Sequence, residues 1–112
     1  MRVGFLIPGL LFVAACSDVA SPTNKTVDVF TLSTAFSPNS IQIARGDTVR
    51  FNIVPSSNGE GHDVTFKTAP AGAPANIPVT LNGVLTRVFK TSGTFHYDCF
   101  VHPGMSGDVV VQ

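Results

Sequence analysis

From Thr26 onward, apolar and polar residues alternate with a period of two. Val27, Val29 or Phe30, and Leu32 make a first run, Ile41 and Ile43 a second, and Val49, Phe51 and Ile53 a third. Val64 and Phe66 continue the pattern, followed by Val84, Thr86 and Val88, then Phe95, Tyr97 and Cys99, and finally Val109 and Val111. Successive strand side chains point to opposite faces, so this alternation predicts half-buried strands. Turn formers separate the runs: Ser37-Pro38-Asn39, Arg45-Gly46-Asp47, Ser56 to Gly61, Asn82-Gly83, Ser92-Gly93 and Pro103-Gly104. Short strands at this spacing predict an all-β chain, an antiparallel sandwich or barrel. Phe51, Phe66, Phe89, Phe95 and Tyr97 read as core. The stretch from Thr68 to Pro78, rich in Ala and Pro, reads as a surface crossover. No segment combines a helical period with a cap, and no repeat or second domain is visible. A chain of 112 residues suits one core.

The N-terminal part follows a different logic. Arg2 precedes an apolar stretch from Phe5 to Val13, and Val13-Ala14-Ala15-Cys16 comes next. A short apolar run ending in small residues is an export signal, too short to span a bilayer as a stable helix. The tetrapeptide resembles a bacterial lipobox, in which the Cys becomes the lipidated first residue of the mature chain. Residues 1–15 are therefore expected to be a signal peptide, residues 16–25 a lipidated Cys and polar tether, and residues 26–112 the folded domain. An ordinary signal peptide with an incidental Cys16 is the plainer alternative. The expected location is periplasmic or cell-surface, with the membrane reached through lipid on Cys16.

Composition narrows the function. Formal charge is zero, and loss of Arg2 with the signal leaves six basic residues against seven acidic ones. The chain lacks the basic footprint that nucleic-acid binding requires. Cys16 and Cys99 could pair in an exported chain. If Cys16 carries lipid, Cys99 is a lone thiol in an oxidising compartment, a liability unless a metal uses it.

The segment Cys99-Phe100-Val101-His102-Pro103-Gly104-Met105 offers a thiolate, an imidazole and a thioether within seven residues. Soft sulfur donors suit copper, and imidazole serves both of its oxidation states. Zinc also takes Cys and His, but the Met favours copper. Pro103 stiffens the loop, and Gly104 permits a tight turn. In the strand leading to it, Phe95, Tyr97 and Cys99 face the core, whereas His96 and Asp98 face outward. His96 is thus aimed away from the Cys99 sulfur and is expected to have no part in the site. His62, after a Gly-rich loop, opens a strand-like run that could present the second imidazole beside Cys99.

The run from Tyr97 to Val111 resembles the C-terminal copper loop of the plastocyanin and azurin family, the cupredoxins. Phe36 to Phe51 is similar to that family's second and third strands, and Gly61-His62-Asp63-Val64 matches its upstream His position. The likeness spans about residues 26 to 112. It implies an eight-stranded Greek-key β-sandwich with one type 1 copper ion, His62, Cys99 and His102 being equatorial ligands and Met105 axial. Two residues separate His102 from Met105, a spacing like that of amicyanin, whereas plastocyanins have four. Asp63 stands where plastocyanins usually carry Asn. A carboxylate so near a thiolate would disfavour the electron-rich reduced site or demand a hydrogen-bonded partner. Phe100, inside the loop, could pack over the thiolate or shield the site.

The resemblance implies a monomeric one-electron carrier, not an enzyme, that meets donor and acceptor redox proteins transiently. The alternative is an exported protein for copper storage, delivery or resistance. Such a protein would bring extra Met or His residues, but only Met105 remains once Met1 leaves with the signal. The three histidines are too few for a multicopper enzyme.

Overall fold

A computed structural model describes residues 21–67 and 70–112, together with Gly4. The expected signal peptide apart from Gly4, together with Cys16 and the first part of the tether, lies outside the described residues. Among the described residues, nine strands follow one another: β1 Thr26–Thr31, β2 Phe36–Ser37, β3 Ser40–Ile43, β4 Thr48–Ile53, β5 His62–Val64, β6 Ile77–Thr80, β7 Gly83–Val88, β8 Gly93–Cys99 and β9 Met105–Val111. No helix occurs among the described residues. One layer is the sheet β2-β1-β4-β7. The other combines β3-β9-β8 with β5-β6, joined by a bridge between Thr65 and Asp98.

The two layers close on an aromatic seam. Tyr97 of β8 meets Phe36 of β2 and Phe51 of β4 edge-on, with ring centroids 4.8 and 5.5 Å apart. Phe66 and Phe89 extend the seam to Phe95. These rings are buried together with Val29, Val49, Ile53, Val64 and Val109, as period-two alternation requires.

Three expectations need correction. The sheets are mixed, not antiparallel, because β1 runs parallel to β4 and β3 parallel to β9. After β1 the chain crosses to the other layer as β3 and returns as β4, so the returning strand lies beside β1 in the same direction. The second correction is the face of β7. Leu85 is paired with buried Phe51, which turns Gly83, Leu85 and Arg87 inward and leaves Val84, Thr86 and Val88 outside. The third is that the crossover ends before Pro78. Fully buried Ile77 opens β6, which pairs with β5.

β8 and β9 fix the position of everything that follows. Their register places Cys99 opposite Met105 at one end and Gly93 opposite Val111 at the other. Seven residues at about 3.3 Å per step give β8 a length of about 20 Å.

Candidate metal centre

Cys99 arrives at the end of β8 on the inward face, following Phe95 and Tyr97, and is 2 % exposed. The chain then turns through Phe100 to Gly104 and re-enters the sheet at Met105, the strand partner of Cys99. Gly104 has φ +86°, a left-handed conformation costly for other residues, and the Met105 amide donates to the His102 carbonyl at 3.0 Å. This tight turn folds His102 back beside Cys99. From the neighbouring strand, β5 contributes His62, which is fully buried.

The three side chains converge. Nδ1 of His62 lies 3.8 Å from the Cys99 sulfur, and Nδ1 of His102 lies 3.7 Å from it. The two imidazole rings are 4.8 Å apart between centroids. Among the described residues, this is the one group of three or more His, Cys, Asp or Glu side chains able to hold a metal ion. The spacing fits an ion held by all three. With metal–sulfur bonds of about 2.3 Å and metal–nitrogen bonds of about 2.05 Å, one ion could bridge sulfur and nitrogen atoms 3.7–3.8 Å apart. The two imidazoles and the thiol thus offer three donor atoms within 4.8 Å of one another.

Electrostatics prepare the donors. Burial pushes the Cys99 thiol up and the Asp63 side chain adds to the rise, while the backbone N–H groups of Asp63, His102 and Val101 pull it back toward the thiolate. Burial, followed by the nearby His102, lowers His62, which keeps its ring neutral and its nitrogen free to donate electrons. Nε2 of His62 and Nε2 of His102 are buried with no hydrogen-bond partner among the described residues. The Val54 carbonyl favours a protonated His62 ring, but it does not meet Nε2 at hydrogen-bonding geometry.

Met105 is buried at the start of β9, paired with Cys99. Asp63 has the partners its position demands. One carboxylate oxygen accepts the Phe100 N–H at 2.8 Å, and the other accepts the Thr65 hydroxyl at 2.7 Å. It thereby ties β5 to the loop that follows Cys99. Phe100 is 57 % exposed, with Lys67 Nζ 5.6 Å from its ring centroid. Together with Ile77, Pro78, Val79 and Val101 it lines an open groove of about 510 Å³.

His96 stays on the outer face, away from the cluster. Its Nδ1 meets Asp108 at 2.9 Å and its Nε2 meets Asp98 at 3.2 Å. Sequence reasoning missed Glu60, whose carboxylate lies 3.7 Å from His102 Nε2. It also missed Thr65. Neither belongs to a spacing motif, and only the fold brings them near.

No family model matches the chain, and no curated protein matches it. Solved structures do. A pseudoazurin from Methylobacterium extorquens is 25 % identical, over 78 % of this chain and 75 % of its own, with a TM-score of 0.61. A pseudoazurin from Sinorhizobium is 29 % identical, over 79 % and 74 %, with a TM-score of 0.62. A reduced amicyanin variant is 25 % identical, over 80 % and 85 %, with a TM-score of 0.64. A copper-containing nitrite reductase from Thermus scotoductus is 25 % identical over 89 % of this chain but only 25 % of its own, with a TM-score of 0.64. Two facing mixed layers, a buried His-Cys-His cluster at one pole and these likenesses together show that the chain has the cupredoxin fold.

Proposed function

We propose that this chain is a type 1 copper protein that carries single electrons between redox partners. The observation that carries the reading is the approach of two imidazole Nδ1 atoms to one buried thiol, at 3.8 and 3.7 Å. His62, Cys99 and His102 would hold the copper, and Met105 would be its weak axial ligand. When bound, copper supplies a one-electron couple. The likeness to an amicyanin variant described as Cu(I) supports this choice of metal.

The protein's part is to hold the donors still. His62 and Cys99 are packed inside the sandwich, Asp63 fastens β5 to the Cys99 loop, and the Gly104 turn sets His102. A donor set fixed by packing suits an ion that changes charge without changing place. His102 is the most accessible of the three ligands, at 9 % exposed. Exposed apolar side chains gather at this pole. Leu32 and Val54 follow the ends of β1 and β4, Val79 and Leu81 flank the strand partner of His62, and Phe100 lies in the loop itself. An apolar rim around a barely exposed ligand suits the small, short-lived interfaces of redox proteins.

Export and lipid attachment through Cys16 complete the proposal, on the strength of the Val13-Ala14-Ala15-Cys16 segment. The test of function is electrochemical. Copper-loaded protein should cycle reversibly by one electron with fast self-exchange. Ready loss of copper to a competing apo-protein would favour storage or delivery instead.

A further inference from the structure

The N-terminal segment is stitched to the domain before β1 begins. Asp47, 3 % exposed, accepts the Thr23 hydroxyl, the Lys25 N–H at 2.8 Å and the Ala44 N–H at 2.9 Å. The Thr23 N–H donates to the Arg45 carbonyl at 2.9 Å, and the Thr48 N–H donates to the Lys25 carbonyl at 2.8 Å. The Thr23 hydroxyl holds the Asp47 carboxyl below the usual carboxylate range, against the effect of burial. A buried carboxylate with three donors makes a strong clasp, because removing it would leave those donors unsatisfied.

The register shows where this clasp sits. The Arg45 N–H donates to the Gln112 carbonyl, just past Val111, and the Gly46 N–H donates to the Phe89 carbonyl. Val111 pairs with Gly93, at the end of β8 and β9 remote from Cys99 and Met105. The clasp and the metal cluster thus lie at opposite poles, about 20 Å apart along β8.

We propose that the Asp47 clasp fixes the exit of the N-terminal segment at the pole opposite His62, Cys99 and His102, so that on a membrane-anchored chain the metal pole faces away from the lipid and meets a redox partner from the aqueous side. This rests on the reading of Cys16 as the anchor. The leash length decides the matter. Seven peptide steps join Cys16 to Thr23 and span at most about 25 Å when fully extended. Nearly all of that would be needed to run back along β8 alone, about 20 Å. Releasing the clasp and three further residues would lengthen the leash to about 35 Å and let the domain turn over.

The experiment uses the full lipidated protein on vesicles of phosphatidylethanolamine and phosphatidylglycerol, some carrying a headgroup nitroxide quencher. A fluorophore is attached at Lys90→Cys, beside the clasp, or at Val79→Cys, at the metal pole. Cys99 is too buried to compete for label. Quenching should be severalfold stronger at position 90 than at position 79. Thr23→Val, which removes one donor and keeps the fold, should narrow that difference, and Asp47→Asn should narrow it further. Protein that sediments with vesicles but is quenched equally at both positions overturns the orientation alone. An unchanged difference in Thr23→Val and Asp47→Asn overturns the clasp's part in it. Protein that does not sediment, or sediments equally as Cys16→Ala, overturns the anchor and the orientation with it.

Discussion

Gly107→Ala should be among the most damaging small changes in the domain, because Gly107 lies under the Tyr97 ring. A Cβ built on Gly107 falls 2.3 Å from both Cζ and Oη of Tyr97, and 2.8 Å from Cε2. Carbon atoms in ordinary contact sit about 3.5–4.0 Å apart, so the ring or the strand would have to move by more than about 1 Å. The ring has nowhere to go. Tyr97 is fully buried, with Phe36, Phe51 and Phe66 at centroid distances of 4.8, 5.5 and 5.9 Å. Overpacking of this kind costs about 1–3 kcal/mol. For a domain of this size, each kcal/mol shifts the melting temperature by about 4–8 °C, so 2 kcal/mol gives a loss of roughly 10–15 °C. The assay is denaturant unfolding of the metal-free protein. A second background isolates the cause. Leu at position 97 ends short of the Cζ position, so Gly107→Ala should cost at least about 1 kcal/mol less in Tyr97→Leu than in wild type. The strain would also reach the site, since Cys99 and Met105 each lie two residues from this pair. A Gly107→Ala cost below about 0.5 kcal/mol, or an equal cost in both backgrounds, would refute the reasoning.

Three further outcomes follow from the same geometry. The Tyr97 hydroxyl is buried without a hydrogen-bond partner among the described residues, so Tyr97→Phe should be neutral or stabilise the fold by about 1 kcal/mol; a loss of that size in unfolding experiments would contradict it. Both ring nitrogens of His96 face carboxylates, and only the imidazolium can donate to both; the Asp108 hydrogen bond leads in raising its pKa above the ordinary 6.5. Its contribution is therefore full below the unfolded-state pKa and is lost as pH rises through the higher folded-state value. Because these groups are half exposed, the stability gap between wild type and His96→Gln should be only about 0.3–1 kcal/mol near pH 5.5 and should shrink toward zero by about pH 9. A gap that widens with pH would show that the sign is wrong. Asp63→Ala frees the Phe100 N–H and the Thr65 hydroxyl; it should lower stability by about 1–3 kcal/mol and increase amide exchange at Phe100, whereas unchanged exchange there would show that Asp63 does not hold the loop.

Much of this was legible in the sequence, and the exceptions have physical causes. Alternation located β1, β3, β4, β8 and β9, because each buries one face only and a period of two then shows directly. It also delivered Cys99 inward and His96 outward. Alternation does not say which of two apolar-looking faces turns in, and β7 was misjudged because Val84 and Val88 are outside while Leu85 meets Phe51. β6 was hidden because Pro78 interrupts it and only Ile77 is buried. Strand direction is not written in local pattern at all; the two parallel pairs arise from the order in which the chain visits the layers. At the site, the loop from Cys99 to Met105 reads directly as a set of candidate donors and the head of a strand suggests His62, and the fold brings His62, Cys99 and His102 together. The roles of Asp63, Thr65 and Glu60 depend on contacts between distant segments, which spacing does not encode.

The central claim is that His62, Cys99 and His102 hold one copper ion through a thiolate, and visible absorption tests it most directly. Copper-loaded protein should show an intense blue thiolate-to-copper band, absent in Cys99→Ser and unaltered in His96→Ala. A colourless copper-loaded protein, or a band that survives His62→Ala but is bleached by His96→Ala, would contradict the account.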